Sequence, residues 1–201
     1  AEDYKINLFF DAASAFGSTY NNQRVGNFGD AEIFSCSPTK IFSTMEGGIV
    51  SSNDKKLIEK VKLCRNYGIL ENYDIEYQGL SARLPETNAA LGLAYMKDIK
   101  TYLDNRQKYT NQYINKLKGI KGISFQKIQE KSRSSCKDFA LVINGKEFGM
   151  SRDTFVKALL MENIPTKKYF YPPLHKTKIY KEYASEKLPI TEKVASNIIC
   201  L

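Results

Sequence analysis

Two side chains, each at the end of a short apolar stretch, have the types that covalent carbonyl chemistry needs. Asp11 closes the run Ile6-Asn7-Leu8-Phe9-Phe10 and is followed by the small residues Ala12, Ala13 and Ser14. Lys40 follows a second strand-like stretch, 32–36, across Ser37-Pro38-Thr39. In open α/β sheets ligands bind beyond the carboxyl ends of the strands, so an acid and an amine at such ends stand where a site forms. A lysine partly desolvated among other groups gives up its proton more readily and offers a free amine that condenses with a carbonyl. An aspartate could then hold the protonated ring nitrogen of pyridoxal phosphate (PLP), the pairing that turns this cofactor into an electron sink. On spacing alone, a surface lysine and a helix-capping aspartate are the open alternatives.

The elements that would carry these residues can be read from hydropathy. Residues 6–10 predict a buried strand, 21–30 (NNQRVGNFGD) a turn-rich connection, and 32–36 and 48–51 two further strands. From Asn53, a suitable N-cap, Leu57, Ile58, Val61 and Cys64 recur at helical spacing. Residues 67–80 predict a surface loop. Pro85 fits the first turn of a helix, and the apolar positions from Ala89 to Leu117 predict one long helix or two nearly continuous ones, ending at Gly119. Beyond Gly122 the pattern becomes short strands (123–128, 139–143) alternating with helices. One of these starts at Ser151 with an apolar face of Phe155, Val156, Leu159 and Leu160; a last one is capped by Thr191 and carries Val194, Ile198 and Ile199.

Composition narrows the classes. The chain has 201 residues, 42% of them hydrophobic and 26% charged, with six prolines and twelve glycines, which is the make-up of a globular protein. No apolar run approaches the ~18 residues of a membrane span, and the first residues show neither the basic start nor the cleavage site of a secretory signal. A cytoplasmic protein without a membrane partner is the expectation. The cysteines at 36, 64, 136 and 200 form no C-x-x-C pair and His175 is the single histidine, so no metal site is expected and the thiols read as reduced packing residues. The net charge of +8 is uneven: residues 1–100 carry 11 basic and 13 acidic side chains, residues 101–201 carry 19 and 9. Because 24 of the 30 basic residues are Lys, Trp is absent and no nucleic-acid motif is present, a nucleic-acid partner is not expected.

The words around Asp11 and Lys40 go further. Asp11-Ala12-Ala13-Ser14-Ala15-Phe16-Gly17, Gly26-Asn27-Phe28-Gly29-Asp30, Phe34-Ser35-Cys36-Ser37-Pro38-Thr39-Lys40 and Glu46-Gly47-Gly48 stand in the order and approximate spacing of the DegT/StrS-type sugar aminotransferases. Arg65-Asn66-Tyr67-Gly68, Gly79-Leu80-Ser81-Ala82-Arg83 with Ala89-Ala90-Leu91-Gly92-Leu93, and Tyr169-Phe170-Tyr171-Pro172-Pro173-Leu174-His175 extend the resemblance over nearly the whole chain.

The resemblance implies an α/β protein of the PLP-dependent aspartate-aminotransferase (type I) fold. Residues 1–105 would form the later part of the large PLP-binding domain and its sheet, and 106–201 a small α+β domain, incomplete at its end. It implies a homodimer that transfers an amino group, from a donor such as glutamate, to a keto sugar carried on a nucleotide, in polysaccharide or related biosynthesis. In that reading Lys40 carries the cofactor and moves the proton, Asp11 pairs with the pyridine nitrogen and Ser35 binds the cofactor phosphate. Ser14 stands where the family has Gln or His beside the ring oxygen. Ser81 stands where a Gly-x-Asn-x-Arg word has the asparagine that reaches the neighbouring subunit's phosphate, and Arg83 and His175 are candidate contacts to substrate or to that subunit. Relatives with histidine in place of the lysine act as dehydratases; Lys40 favours an aminotransferase. Family members are considerably longer and carry the phosphate-cradling turn before the motif aspartate, so the sequence reads as a fragment lacking the N-terminal part, and by itself inactive. The other reading open to the sequence is an inactive interaction module whose basic second half meets an anionic partner in a salt-sensitive way.

Overall fold

The computed structural model describes residues 1–183 and 187–201. The chain forms two compact units: residues 1–107 with 128–137, and residues 108–127 with 138–201.

The first unit is built on a three-stranded sheet of β1 (Phe9–Asp11), β4 (Ala31–Ser35) and β5 (Gly48–Ser51), with β4 in the centre. β1 runs parallel to β4, with Phe10 opposite Glu32 and Asp11 opposite Ile33. β5 is antiparallel to it, with Phe34 opposite Ile49. Alternation along β4 sends Glu32 and Phe34 into the core. There Phe34 meets the edge of Phe16, which stacks on Phe42 with ring centroids 4.7 Å apart. β1 is shorter than the sequence predicts and is exposed rather than buried, with Ile6 63% and Phe9 53% accessible. The reason is its position: it is an edge strand, paired on one side only.

Between β1 and β4, β2 (Thr19–Tyr20) and β3 (Gln23–Arg24) form a two-residue hairpin. Its turn residues Asn21 and Asn22 both have positive φ, the geometry of a type I′ turn that asparagine tolerates. Helix α1 (Lys55–Cys64) starts one residue later than expected: Asp54, not Asn53, is the cap, its Oδ1 accepting from Lys56 N at 2.8 Å. The long apolar stretch resolves into α2 (Glu86–Met96), with Pro85 at the cap position before it, and α3 (Ile99–Leu117).

In the second unit β6 (Ile123–Phe125), β7 (Ala140–Ile143) and β8 (Ile198–Cys200) make an antiparallel sheet around fully buried Leu141, Ile143 and Ile199. Phe148 closes the short helix α4 (Gly145–Phe148), and Phe155 and Leu159 come from α5 (Arg152–Met161); all three pack against this core. Ser151 caps α5 as its position predicts, accepting from Thr154 N at 3.1 Å. The last helix, α6 (Pro189–Asn197), starts at Pro189 rather than being capped by Thr191. Ile198 and Ile199 belong to β8 instead of the helix, since pairing with β7 buries Ile199 completely. Among the described residues no helix is long and apolar enough to cross a membrane.

Candidate active site

The loops leaving the C-terminal ends of β1 and β4, two adjacent parallel strands, bring Lys40 and Ser14 together: Lys40 Nζ donates to Ser14 Oγ at 3.3 Å. The Lys40 side chain is half-buried, held in a turn in which its own N–H donates to Ser37 O at 3.0 Å. Asp11, the last residue of β1, lies on the same sheet face as Ile33 and, one alternation further along β4, Ser35. Asp11 Oδ1 accepts from Ala13 N at 3.0 Å, and its other carboxylate oxygen has no hydrogen bond among the described residues. Ser35 Oγ accepts from Ser37 N at 3.3 Å, which leaves the hydroxyl proton to donate. Lys40, Ser14, Asp11 and Ser35 thus stand at one edge of one sheet.

Three supports hold that edge. Ser135, 3% accessible, donates through Oγ to Ser14 O at 3.2 Å while its N–H donates to Ser18 Oγ at 3.0 Å. More than a hundred residues separate these partners, so no local pattern could disclose the contact. Glu32, 1% accessible, accepts through Oε1 from Gly26 N at 2.7 Å and Phe28 N at 2.6 Å and so fixes the Gly26-Asn27-Phe28-Gly29-Asp30 loop. Asp30 in turn exchanges two bonds with Leu8, accepting from its N–H at 2.6 Å and donating to its carbonyl at 2.8 Å, which sets the register that ends at Asp11. Behind the Lys40 turn, burial pushes the Cys36 thiol up, with a hydrogen bond to Thr44 opposing it in part, so this thiol stays protonated and inert.

The remaining predicted residues lie in two other places. Ser81 and Arg83 gather around Tyr67, whose hydroxyl contacts both. Tyr67 stands in the Arg65-Asn66-Tyr67-Gly68 word, and nothing in that word by itself marks its phenol for a contact to Ser81 or Arg83. In the second unit His175 sits in a short 3-10 turn, Leu174–Lys176, half-buried, with Nε2 3.3 Å from Glu192 Oε1. Lys176 first and His175 second hold the Glu192 carboxyl below its usual value. Among the described residues no group of three or more His, Cys, Asp or Glu could hold a metal.

A lysine amine, a carboxylate and two serine hydroxyls thus share the carboxyl edge of an α/β sheet, a donor set chemically able to engage a carbonyl group through nitrogen. The chain belongs to the DegT/DnrJ/EryC1/StrS aminotransferase family, whose model matches residues 1–201. It is 31% identical over 202 residues to a dTDP-4-amino-4,6-dideoxy-D-glucose transaminase of Shigella dysenteriae, covering all of this chain and 55% of that protein. It is 32% identical over 190 residues to a UDP-4-amino-4,6-dideoxy-N-acetyl-beta-L-altrosamine transaminase of Campylobacter jejuni, covering 92% of this chain and 50% of that one. Among solved structures, Helicobacter pylori PseC, an aminotransferase involved in the biosynthesis of pseudoaminic acid, superposes with a TM-score of 0.89 at 26% identity, over all of this chain and 55% of its own. The fold is that of the PLP-dependent sugar aminotransferases, and the chain spans about half the length of the curated relatives it matches.

Proposed function

We propose that the protein is a PLP-dependent aminotransferase of the cytoplasm, active as a homodimer, that transfers an amino group from an amino acid such as glutamate to the keto sugar of a nucleotide-sugar. The observation that carries this reading is the meeting of Lys40 with Ser14 on the sheet edge that also presents Asp11 and Ser35.

The donor set fits the cofactor. Lys40 offers an amine with one hydrogen bond among the described residues. Asp11 offers a free carboxylate oxygen to a cationic ring nitrogen. Ser35 offers a hydroxyl proton to a phosphate, and Ser14 a short hydroxyl beside the amine. When bound, the cofactor supplies the electron sink for breaking bonds at the amino-bearing carbon. The protein's own part is to hold that ring and move protons. Asp11 keeps the ring nitrogen charged, and Ser35 anchors the anionic end. Lys40, once its amine is free, takes and returns a proton at the reacting carbon, and Ser14 Oγ holds Nζ in place through its 3.3 Å bond. The two relatives named above are transaminases of dTDP- and UDP-linked sugars, which supports a nucleotide-sugar acceptor for this chain.

Borohydride reduction of the full-length protein loaded with PLP, followed by peptide mass mapping, tests the assignment. A single stable adduct on Lys40, absent from Lys40→Ala, is the expected result. Labelling scattered over other lysines, unchanged in the variant, would refute it. Turnover with glutamate and keto nucleotide-sugars tests the acceptor class separately, because a protein that is labelled at Lys40 yet aminates none of them retains the cofactor assignment and loses the substrate.

A further inference from the structure

After α1 the chain doubles back so that 64–67 runs antiparallel to 80–82. Leu80 N donates to Cys64 O at 2.7 Å, Tyr67 N to Leu80 O at 3.1 Å and Ala82 N to Arg65 O at 2.9 Å, and Asn66 bridges to Ser81. At the end of this pairing Tyr67 adopts a φ of 62°, a left-handed conformation that a bulky side chain rarely takes without a structural reason. The result is that its phenol reaches across the ladder. The hydroxyl donates to Ser81 Oγ at 2.8 Å and accepts from Arg83 Nη2 at 3.2 Å, and the Arg83 guanidinium lies over the tyrosine ring, 5.1 Å from its centroid.

The Arg83 bond can run only one way, and the phenol's proton lies on Ser81. A guanidinium has no acceptor, so the tyrosine oxygen accepts from Arg83, while its single proton goes to Ser81. Ser81, with a lone pair engaged, keeps its own proton for an outside acceptor. The chain runs from cation to hydroxyl to hydroxyl, each bond polarising the next, and it ends at an exposed donor.

We propose that Tyr67 is a positioning residue that aligns Arg83 and polarises Ser81, so that the pair donates to a phosphate ester. The proposal rests on the aminotransferase reading, in which Ser81 faces the cofactor phosphate held by a neighbouring copy. An asparagine at position 81 would bring amide N–H donors of fixed direction; a serine has one rotating O–H, and Tyr67 supplies the direction it lacks.

The test compares PLP with pyridoxal, which has no phosphate, by spectroscopic titration of the full-length protein and its Tyr67→Phe, Ser81→Ala, Tyr67→Phe/Ser81→Ala and Tyr67→Phe/Ser81→Asn variants. Tyr67→Phe keeps the ring and is expected to weaken PLP by about tenfold, the order of one hydrogen bond lost behind the phosphate donors, with pyridoxal unchanged. In the Ser81→Ala background the same change should cost clearly less, leaving only the Arg83 bond to lose, and Ser81→Asn should restore most of the PLP affinity to the phenylalanine variant. Unchanged PLP affinity in Tyr67→Phe, an equal loss for both ligands, or an undiminished loss in the Ser81→Ala background overturns the proposal, as does failure of Ser81→Asn to rescue. Wild-type protein that binds no PLP overturns the aminotransferase reading itself, and that outcome is visible before any variant is made.

Discussion

At the scale of single residues, Glu32 makes the sharpest prediction. One carboxylate oxygen satisfies two backbone N–H groups in a site 1% accessible, while the other, Oε2, is buried without a partner. Glu32→Ala strands both N–H groups, and each buried orphan costs about 1–3 kcal/mol, so a loss of roughly 2–5 kcal/mol is expected from denaturant unfolding. Glu32→Gln preserves the acceptor and should cost less than half as much. Equal losses would mean that the loop is held by something other than these two bonds. Nothing in the sequence announced this role, because the period-2 pattern of β4 places position 32 in the core but cannot say that a carboxylate there finds two amides in a loop 4–6 residues back. The same limit hid Tyr67 and Ser135, whose partners are set by backbone turns and by a return of the chain from 132–136. Asp11 and Lys40 stood out in the sequence because they follow apolar strand-like runs, whose ends sheet topology brings to one edge, whereas Ser35 was reached only through the family resemblance.

At the scale of elements, boundaries were read to within one to three residues wherever a cap or a period marked them, as at Ser151 and Pro85, and failed where pairing decided. Ile198 and Ile199 continue an apolar helical pattern, and only β7 alongside makes them a strand. Arg152 shows how the turn is fixed: 3% accessible, its Nη1 donates to Ala195 O at 3.2 Å and Ile198 O at 3.0 Å, tying α5 to the junction of α6 and β8. α2 carries a different constraint. Gly92 is buried, and a Cβ there would come within 2.8 Å of Thr44 Cγ2 and 3.4 Å of Phe42 Cζ. Thr44 cannot swing aside freely, because its hydroxyl donates to Glu46 O at 2.9 Å. Gly92→Ala gains up to about 1 kcal/mol of helix propensity and loses about 1–3 kcal/mol to overpacking. Net destabilisation of about 1 kcal/mol is the expected balance, measured as a lower urea midpoint. A rise in the midpoint would show that α2 and the Lys40 loop can move apart without cost.

At the scale of the whole molecule, charge sets the response to acid. Asp104 is held below its usual value by Lys100 and Arg133, Asp153 by Lys168 and then Arg152, and Glu192 by Lys176 and His175. The native state therefore binds fewer protons than the unfolded chain while these groups titrate, and stability rises with pH through that range. Their contribution is complete above the ordinary carboxylate values of 3.8 and 4.5 and is lost as pH falls through the lower native ones. The three carboxylates keep 43%, 58% and 31% of their side chains accessible, so each share is small. The second effect has the same sign: a chain already at +8 approaches +30 as its 22 carboxylates are neutralised, and like charges then repel across the folded surface. Salt separates the two. Screening relieves repulsion in acid, whereas at neutral pH it also weakens the attractive pairs. The urea midpoint should fall steeply from about pH 5 to about pH 3, and raising NaCl to about 0.5 M should raise it at pH 3 far more than at pH 7. Glu192→Gln should shallow the pH slope without altering the salt response at pH 3. A midpoint flat across this range would mean that neither the pairs nor the net charge contributes, and a fall insensitive to salt would leave the specific pairs as the source.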